Sequence, residues 1–176
     1  MSDSKHIIST ERLRLVSLDE QTMLALIERD RERASSLQGY EITEEVLESL
    51  QPNFLALHLN RMRGQPSAWG WFVRLIVRGD DDVVVGNCGF HGPVEIVGRA
   101  EIGYFVLPTY RGNSFASEAA LGLVAWAREE GSPAVYATVA PNNLASLRVV
   151  EKVGFSRSGA QIDVADGEEL VFEIRF

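Results

Sequence analysis

The chain has 176 residues, 45% hydrophobic and 24% charged, which is typical of one globular domain, so we expect residues 1–176 to form a single domain. No apolar run approaches the ~20 residues that span a bilayer, and the first ten residues lack a signal-peptide pattern. One cysteine, three scattered histidines and a net charge of −8 predict a cytoplasmic protein without a disulfide, a metal site, a nucleic-acid partner or a membrane partner.

The first half of the chain predicts one strand followed by helices. Alternating apolar residues in 11–18 (ERLRLVSL) are typical of a strand, and Asp19 is a plausible N-cap for the helix that follows. Residues 43–63 place their apolar side chains roughly on one side, which predicts helix. Pro52 should break or kink that region into two helices.

The second half predicts three consecutive strands and then a helix, a strand, a helix and two strands. The acidic run at 80–82 predicts a solvated hairpin turn between the first two strands. The segments, in chain order, are 69–77, 83–92, 99–107, 115–130, 134–140, 142–154, 155–161 and 169–176.

This order of elements predicts an α/β (α+β) fold. The three consecutive strands should be antiparallel, whereas the strand at 98–107, the helix at 115–130 and the strand at 134–140 form a β-α-β crossover with parallel strands. We therefore expect a mixed, mostly antiparallel sheet of six to seven strands, flanked by helices. The last strand, 169–176, could be an edge that pairs two subunits into a homodimer.

The segment 110–122 (YRGNSFASEAALG) leads from a turn into a predicted helix. Unpaired N–H groups at a helix N-terminus attract anions, and the small residues of this turn allow a close backbone approach. An equally good interpretation is that Ser114 or Asn113 merely caps the helix. The segment has neither the lysine of a P-loop nor the Gly-x-Gly-x-x-Gly spacing of a dinucleotide site.

Two long segments, 99–127 and 135–155, resemble the GNAT superfamily of N-acetyltransferases, in particular the branch of the ribosomal-protein N-terminal acetyltransferases. Residues 10–18 and 83–92 support the likeness, which covers nearly the whole chain. The resemblance implies that acetyl-CoA binds in a cleft where the strands at 98–107 and 134–140 splay apart. An N–H near Phe105 or Val106 would polarise the thioester carbonyl.

In this family a loop of the form [Q/R]-x-x-G-x-[G/A] binds the pyrophosphate of the coenzyme. The corresponding residues are Arg111, Gly112, Asn113, Ser114, Phe115 and Ala116. Ser114 stands where the family usually has glycine. Its hydroxyl could add a hydrogen bond, whereas its Cβ could crowd the phosphates.

The resemblance also implies catalytic roles. Glu101 is the candidate base, especially if partial burial raises its pKa; the alternative is that it pairs with Arg74 or Arg99. The tyrosine that many members place before the Gly-Phe pair is absent, since Val149 and Val150 stand there.

The branch offers Ser146 instead as the acid that protonates the thiolate, with Asn143 holding the coenzyme. Capping of the helix is the alternative for both residues. Tyr104 lies on the other strand face, and Cys88 lacks a histidine and carboxylate pattern; both are interpreted as packing.

These features predict an acetyl-CoA-dependent N-acetyltransferase in which a primary amine attacks the thioester directly. The amine could belong to a peptide N-terminus, a side chain or a small molecule, and residues 20–66 and 158–169 should select it. The acidic composition slightly favours a cationic acceptor. The alternative is a non-catalytic acyl-CoA-binding or regulatory module. The absence of the usual tyrosine and the presence of Ser114 in place of glycine support this alternative.

Overall fold

The computed structural model describes residues 7–164 and 167–176, whose strands form one sheet with helices against both faces. The strands are β1 (Ile7–Ser9), β2 (Leu13–Ser17), β3 (Val73–Arg78), β4 (Val84–Phe90), β5 (Ala100–Val106), β6 (Ala134–Val139), β7 (Ser156–Asp163) and β8 (Gly167–Arg175). The helices are α1 (Glu20–Ile27), α2 (Arg31–Gln38), α3 (Glu44–Ser49), α4 (Pro52–Gly64), α5 (Val94–Val97), α6 (Phe115–Glu129) and α7 (Leu144–Val153), with 3-10 turns at Pro66–Trp71 and Pro108–Tyr110.

The described sheet has eight strands in the order β1-β2-β3-β4-β5-β6-β8-β7. Neighbours are antiparallel except β5 and β6, which confirms the predicted fold class and the β5-α6-β6 crossover. The expected count of six to seven strands omitted β1, whose three residues are too few for a recognisable alternation. The prediction of a C-terminal edge strand is wrong, because β8 lies between β6 and β7.

Local signals set most of the helix ends. The Asp19 carboxylate accepts a hydrogen bond from the Thr22 N–H at 2.7 Å, which confirms the predicted cap of α1. Pro52 opens α4 and separates it from α3, as expected. Helix α2 was not predicted, because Ala34 is its one buried residue and no apolar period marks it. Within residues 7–164 and 167–176, no helix is long and apolar enough to cross a bilayer.

Two apolar cores cover the two faces of the sheet. Alternation along β3 divides its side chains, since Leu75 and Val77 join the core under α1 to α4 while Ile76 joins the core under α6 and α7. All three side chains are fully buried. The sheet is therefore sandwiched between two helical layers, and any cleft must open where neighbouring strands separate.

Such an opening lies between β5 and β6. Their parallel pairing comprises only Ala100 with Val135 and Glu101 with Tyr136. Beyond these pairs β5 continues along β4 as far as Val106, and β6 continues along β8 as far as Val139. The two strands therefore diverge after Glu101, which is the splayed cleft that the resemblance implied.

Candidate active site

Two cavities meet along β5 at the cleft. The large cavity, about 530 Å³, is bounded by the loop after β5, the start of α6 and one side of α7. The small cavity, about 320 Å³, lies between the α3–α4 junction and strands β4 and β5. Tyr104 and Phe105 line both. Strand β5 is thus the shared wall at which bound groups in the two cavities could meet.

Most of the predicted coenzyme-binding residues line the large cavity. Its lining includes Phe105, Val106, Arg111, Gly112, Ser114, Phe115, Ala116, Asn143 and Ser146. Asn113 is not in this lining; its side-chain amide donates to the carbonyls of Tyr110 and Arg111 at 3.0 and 3.3 Å. Asn113 therefore shapes the turn, whereas its neighbours face the cavity.

The large cavity is also cationic, which the sequence interpretation missed in part. Arg148 and Lys152 of α7 join Arg111 in its lining, and its described lining contains no carboxylate. Residues 145, 148, 149 and 152 of α7 recur at helical spacing, so this face could have been recognised from the sequence. Three cations around one cavity favour a polyanionic ligand.

Ser114 has a left-handed backbone, with φ 63° and ψ 14°. Only glycine adopts this conformation without a steric cost, which explains why a glycine would usually stand there. Ser114 occupies the N-cap position of α6, but neither Ser114 nor Asn113 makes the side-chain bond that the capping interpretation requires. The Ser114 hydroxyl instead accepts a hydrogen bond from Lys152 Nζ at 2.8 Å.

The start of α6 therefore keeps its backbone donors. The first helical bond runs from the Glu118 N–H to the Ser114 carbonyl at 3.0 Å, so the N–H groups of Phe115, Ala116 and Ser117 have no partner within the helix. Phe115, Ala116 and Ser117 all line the large cavity. An anion in this cavity would meet backbone donors as well as cationic side chains.

A contact from the first hairpin holds this loop in place. The Glu118 carboxylate accepts bonds from the Thr10 hydroxyl at 2.6 Å and from the Arg12 N–H at 2.7 Å, and it pairs with the Arg12 guanidinium. Burial alone would raise the pKa of Glu118, but the bonds from Thr10 and Arg12 outweigh burial, so the pKa is lowered. Arg12 also donates to the Asn113 carbonyl at 3.0 Å, which fixes the turn relative to α6.

The backbone of β5 distinguishes between Phe105 and Val106. The His91 N–H bonds to the Glu101 carbonyl and the Leu107 N–H to the Val85 carbonyl, so odd-numbered residues of β5 direct their backbone groups at β4. The Val106 carbonyl points the other way and accepts a bond from Arg111 at 3.0 Å. The N–H of Val106, not that of Phe105, therefore faces the opening.

Glu101 is held by three side chains at the point where β5 and β6 part. The Thr138 hydroxyl donates to its carboxylate at 2.8 Å, Arg99 lies 3.2 Å away and His91 Nδ1 lies 3.7 Å away. Burial raises the pKa of Glu101, but His91, Thr138 and Arg99 together outweigh it and lower the pKa to about 2. The condition that burial raises the pKa of Glu101 is not met, because the carboxylate is partnered as well as buried.

Of the two arginines considered as partners of Glu101, the structure selects Arg99. Arg74 is fully buried, donates to the carbonyls of Leu15 and Gly70, and lies over the ring of Trp126. Glu101 therefore does pair with a cation, and it also contacts the histidine that reaches the small cavity.

His91 was not singled out by the sequence interpretation. Its side chain is 43% exposed and lines the small cavity, whereas Glu101 is not in that lining. His91 lies directly over Gly103, because a Cβ placed there would be 3.4 Å from Nε2. One imidazole edge faces Glu101 and the ring also borders the small cavity, so Glu101 can act on a bound group through His91.

The second predicted catalytic region lies at the start of α7. The Asn143 side chain accepts a bond from the Ser146 N–H at 3.1 Å and caps the helix, so the capping alternative is observed for Asn143. The Tyr104 hydroxyl donates to the Ser146 carbonyl at 3.4 Å across the opening. Burial raises the pKa of Tyr104, which that bond lowers only in part. Tyr104 is therefore more than the packing residue expected.

Cys88 behaves as a core residue, as predicted. It is 4% exposed, and burial raises the pKa of its thiol to about 12 despite the opposing charge of Arg74. A thiol with such a pKa carries almost no thiolate at neutral pH and is a poor nucleophile. Among the residues that the structure describes, no three His, Cys, Asp or Glu side chains are grouped as a metal site would require.

Comparison with known proteins gives a consistent result. The family model described as an acetyltransferase (GNAT) domain matches residues 12–156. The uncharacterized N-acetyltransferase YoaA of Bacillus subtilis (strain 168) is 32% identical over 158 residues, which cover 87% of this chain and 84% of YoaA.

Two solved structures share the fold. A Vibrio cholerae protein described as a ribosomal-protein-serine acetyltransferase superposes with a TM-score of 0.67 at 16% identity, over 100% of both chains. The microcin C7 self-immunity acetyltransferase MccE, solved with acetyl-CoA and AMP, gives a TM-score of 0.64 at 12% identity, over 94% of this chain and 93% of MccE. At these identities the likeness to both is one of fold.

Proposed function

The chain belongs to the GNAT acetyltransferase family, and on that premise we propose that it transfers the acetyl group of acetyl-CoA to a primary amine bound in the small cavity. The observation that carries this proposal is the junction of the two cavities at β5. There a cationic cavity and an uncharged cavity meet beside a backbone N–H that no neighbouring strand uses.

The large cavity would hold the coenzyme. The N–H groups of Phe115, Ala116 and Ser117 and the turn at Gly112 would receive the pyrophosphate. Arg111, Arg148 and Lys152 add positive charge around it. Ser114 keeps the glycine-like backbone of the family loop, and its hydroxyl bonds to Lys152.

Asn113 and Asn143 would contribute in different ways. The side chain of Asn113 stabilises the turn, and only its backbone remains free for the coenzyme. Asn143 uses its amide oxygen to cap α7, so its amide nitrogen is the group available to the pantetheine arm.

The Val106 N–H would polarise the thioester carbonyl. It points into the opening, and the β5–β6 ladder ends before it, at Glu101. A fixed backbone donor stabilises the oxyanion that forms when the amine attacks, because it is oriented before the reaction begins. Phe105 would contribute its side chain to the wall that separates the two bound substrates.

Glu101 and His91 would act together on the amine. A carboxylate with a pKa of about 2 is a weak proton acceptor at neutral pH, whereas imidazole exchanges protons in that range. We therefore assign to Glu101 the role of fixing and stabilising the imidazole, and to His91 that of taking the proton. The amine nitrogen bonds to the acetyl carbon, the carbon–sulfur bond breaks, and the amine's proton passes to His91.

Ser146 would donate a proton to the departing thiolate and regain one from solvent water, because the cleft is open. The Ser146 side chain lines the large cavity, and the Tyr104 hydroxyl, which is bonded to the Ser146 carbonyl, lies in the same opening. A thiol has an ordinary pKa of about 8.5, so the thiolate is a mild base and protonation need not limit the rate.

An acceptor screen tests the function. The protein is incubated with acetyl-CoA and a panel of amines and peptides, free thiol is measured with time, and acetylated products are identified by mass. We expect thiol release that depends on an acceptor. Coenzyme binding by calorimetry without acceptor-dependent release from any amine would contradict the proposal and favour the non-catalytic acyl-CoA-binding module.

A further inference from the structure

The small cavity carries no fixed charge among its described lining residues. The lining consists of Ser49, Gln51, Phe54, Val73, Asn87, Cys88, Gly89, Phe90, His91, Gly103, Tyr104 and Phe105. No Asp, Glu, Lys or Arg is among them, although the whole chain has a net charge of −8. Burial raises the pKa of Cys88 to about 12, so Cys88 stays a neutral thiol in this lining.

Two aromatic side chains give the cavity a partly exposed apolar surface, although the Arg111 guanidinium lies over the ring of Phe105 at 5.6 Å. Phe54 is 38% exposed and Phe105 is 37% exposed, and both line the small cavity. An aromatic ring exposed in a concave site is a typical contact surface for an apolar ligand group. A volume of about 320 Å³ suits a small acceptor or a single side chain.

The polar groups of the lining are uncharged and partly used. The Asn87 side-chain N–H donates to the Ser49 hydroxyl at 3.1 Å, and that hydroxyl donates to the Val46 carbonyl at 2.7 Å. The Gln51 side-chain N–H donates to the Glu48 carbonyl at 2.7 Å. The amide oxygens of Asn87 and Gln51 remain as neutral hydrogen-bond acceptors, which cannot neutralise a buried ammonium.

His91 defines the end of the cavity where the reacting nitrogen must lie. It contacts Glu101, and it lies over Gly103 of the strand that borders the large cavity. With the amine at His91, the remainder of the acceptor extends among Phe54, Phe105 and the uncharged amides. A second ammonium group there would lose part of its hydration without gaining a carboxylate partner in the described lining, which is unfavourable.

On the basis of the proposed acetyl transfer, we infer that the acceptor is a primary amine carried on an uncharged apolar group, aromatic or aliphatic, rather than a polyamine or a lysine-like dication. The local surroundings decide this. The charged groups next to His91 are already engaged, since Glu101 contacts His91 and pairs with Arg99, and Arg61 donates to the His91 carbonyl. Surface charges farther away than about 10 Å are largely screened at ordinary salt. The acidic composition, which slightly favoured a cationic acceptor, gives the opposite indication.

A matched pair of substrates tests the inference. Pentylamine and cadaverine have the same chain length, but cadaverine carries a second amine at the far end. We expect kcat/KM for pentylamine to exceed that for cadaverine at least tenfold, and 2-phenylethylamine to be better than pentylamine because of the two phenylalanines. Equal or faster turnover of cadaverine would overturn the inference.

Peptide substrates identify the source of the apolar amine. Short peptides that differ only in their first residue, Phe, Ser or Lys, are compared with 2-phenylethylamine. Preference for the Phe peptide or for the free arylalkylamine supports the same chemistry and tells a peptide N-terminus from a small molecule. Preference for the Ser or Lys peptide over the Phe peptide would overturn the inference.

Two variants connect the preference to the cavity. Phe54→Ala should raise KM for 2-phenylethylamine about tenfold, with KM for ethylamine and for acetyl-CoA unchanged. Leu57→Ala is the matched control, because Leu57 lies on the same helix, is 49% exposed and is not in the lining. Equal effects of the two variants would contradict the assignment.

A third variant adds the charge that the cavity lacks. Asn87→Asp should shift the ratio of pentylamine to cadaverine turnover towards cadaverine, because its carboxylate would pair with the second ammonium. An unchanged ratio in folded protein, verified by circular dichroism and thermal melting, would contradict the inference. Should Asn87→Asp not fold, the substrate pair in wild-type protein still decides.

The failure of this inference differs from the failure of the proposed function. If the protein acetylates amines but prefers cadaverine, the proposed acetyltransferase function stands and only the inference of an apolar acceptor is contradicted. Coenzyme binding without transfer to any amine removes the function itself.

Discussion

The two cavities of the cleft share Tyr104 and Phe105, yet their remaining walls are chemically opposite. Arg111, Arg148 and Lys152 line the large cavity, whereas the small cavity has no fixed charge in its described lining. One face of a helix and one loop supply the cations, and a sheet surface under a helical layer supplies the uncharged wall. The net charge of −8 therefore describes neither cavity, because it is a sum over the whole chain whereas the two linings differ in charge.

The largest expected effect is a loss of kcat when Glu101, which contacts His91 of the small cavity, is replaced. Glu101→Gln should lower kcat about 100-fold, because the neutral amide cannot stabilise a protonated His91. The Kd for CoA, measured by calorimetry, should stay within about twofold, since the large cavity is untouched. Arg99→Gln is the control, because it removes a charge next to Glu101 and leaves His91 and Glu101 in contact. Wild-type kcat in Glu101→Gln would remove Glu101 from the mechanism.

The pH dependence separates the two candidate bases. Glu101, with a pKa of about 2, stays ionised above pH 5, so it cannot produce a loss of activity between pH 8 and pH 5. If Glu101 were the proton acceptor, kcat/KM would therefore stay constant over this range. We expect kcat/KM to fall towards low pH instead, because the proposed acceptor is the imidazole that contacts Glu101.

The other groups that face His91 keep their charge over this range. Burial, His91 and Arg61 lower the pKa of His58 to about 3, so His58 stays neutral, and Arg61 and Arg99 remain cations. A flat profile from pH 8 to pH 5, measured with saturating acetyl-CoA, would exclude His91 as the base.

Removal of positive charge from the large cavity should weaken CoA binding and leave amine binding unchanged. The double variant Arg148→Ala with Lys152→Ala should raise the Kd for CoA about tenfold, because two charge-assisted contacts with phosphate are lost. KM for the amine should not change. Arg31→Ala removes an exposed charge from α2, outside both linings, and serves as the control. A change in amine KM without a change in CoA affinity would reverse the assignment of the two cavities.

The smallest expected effect concerns Ser114 and its left-handed backbone. Ser114→Gly should raise the free energy of unfolding by about 0.5 kcal/mol, since relief of the strained φ exceeds the entropy that glycine adds to the unfolded chain. Ser114→Ala keeps the Cβ and loses the hydroxyl, so it should not be stabilised. Urea unfolding of the three proteins measures this difference.

Coenzyme binding by the same variants reveals what the hydroxyl does. If the contact of the Ser114 hydroxyl with Lys152 positions that cation, both variants should bind CoA about twofold more weakly than wild type. Tighter binding by Ser114→Gly alone would mean that the Cβ crowds the phosphates.

Sequence patterns were sufficient wherever a structural feature depends on neighbouring residues. The cap at Asp19, the break at Pro52, the crossover through α6 and the loop at 111–116 are local, and all are found where expected. The short strand β1 and the polar helix α2 were missed, because neither has a long enough apolar pattern.

The proposed catalytic arrangement depends on pairing between distant segments. The contact of His91 with Glu101 follows from the β4–β5 register, and the same register directs the Val106 N–H, rather than the Phe105 N–H, into the opening. The low pKa of Glu101 follows from partners on two other segments. A sequence pattern shows which face of a strand a residue occupies, but not what lies opposite it.

The sequence by itself indicated the family, through the resemblance of two segments, and it indicated the longer elements and the loop at 111–116, because these depend on short-range periodicity and on motifs of fixed spacing. Only the tertiary structure decided the interior position of β8, the cations that α7 adds to the large cavity and the absence of fixed charge in the described lining of the small cavity. The physical reason is that burial, register and local charge are properties of surfaces brought together by folding.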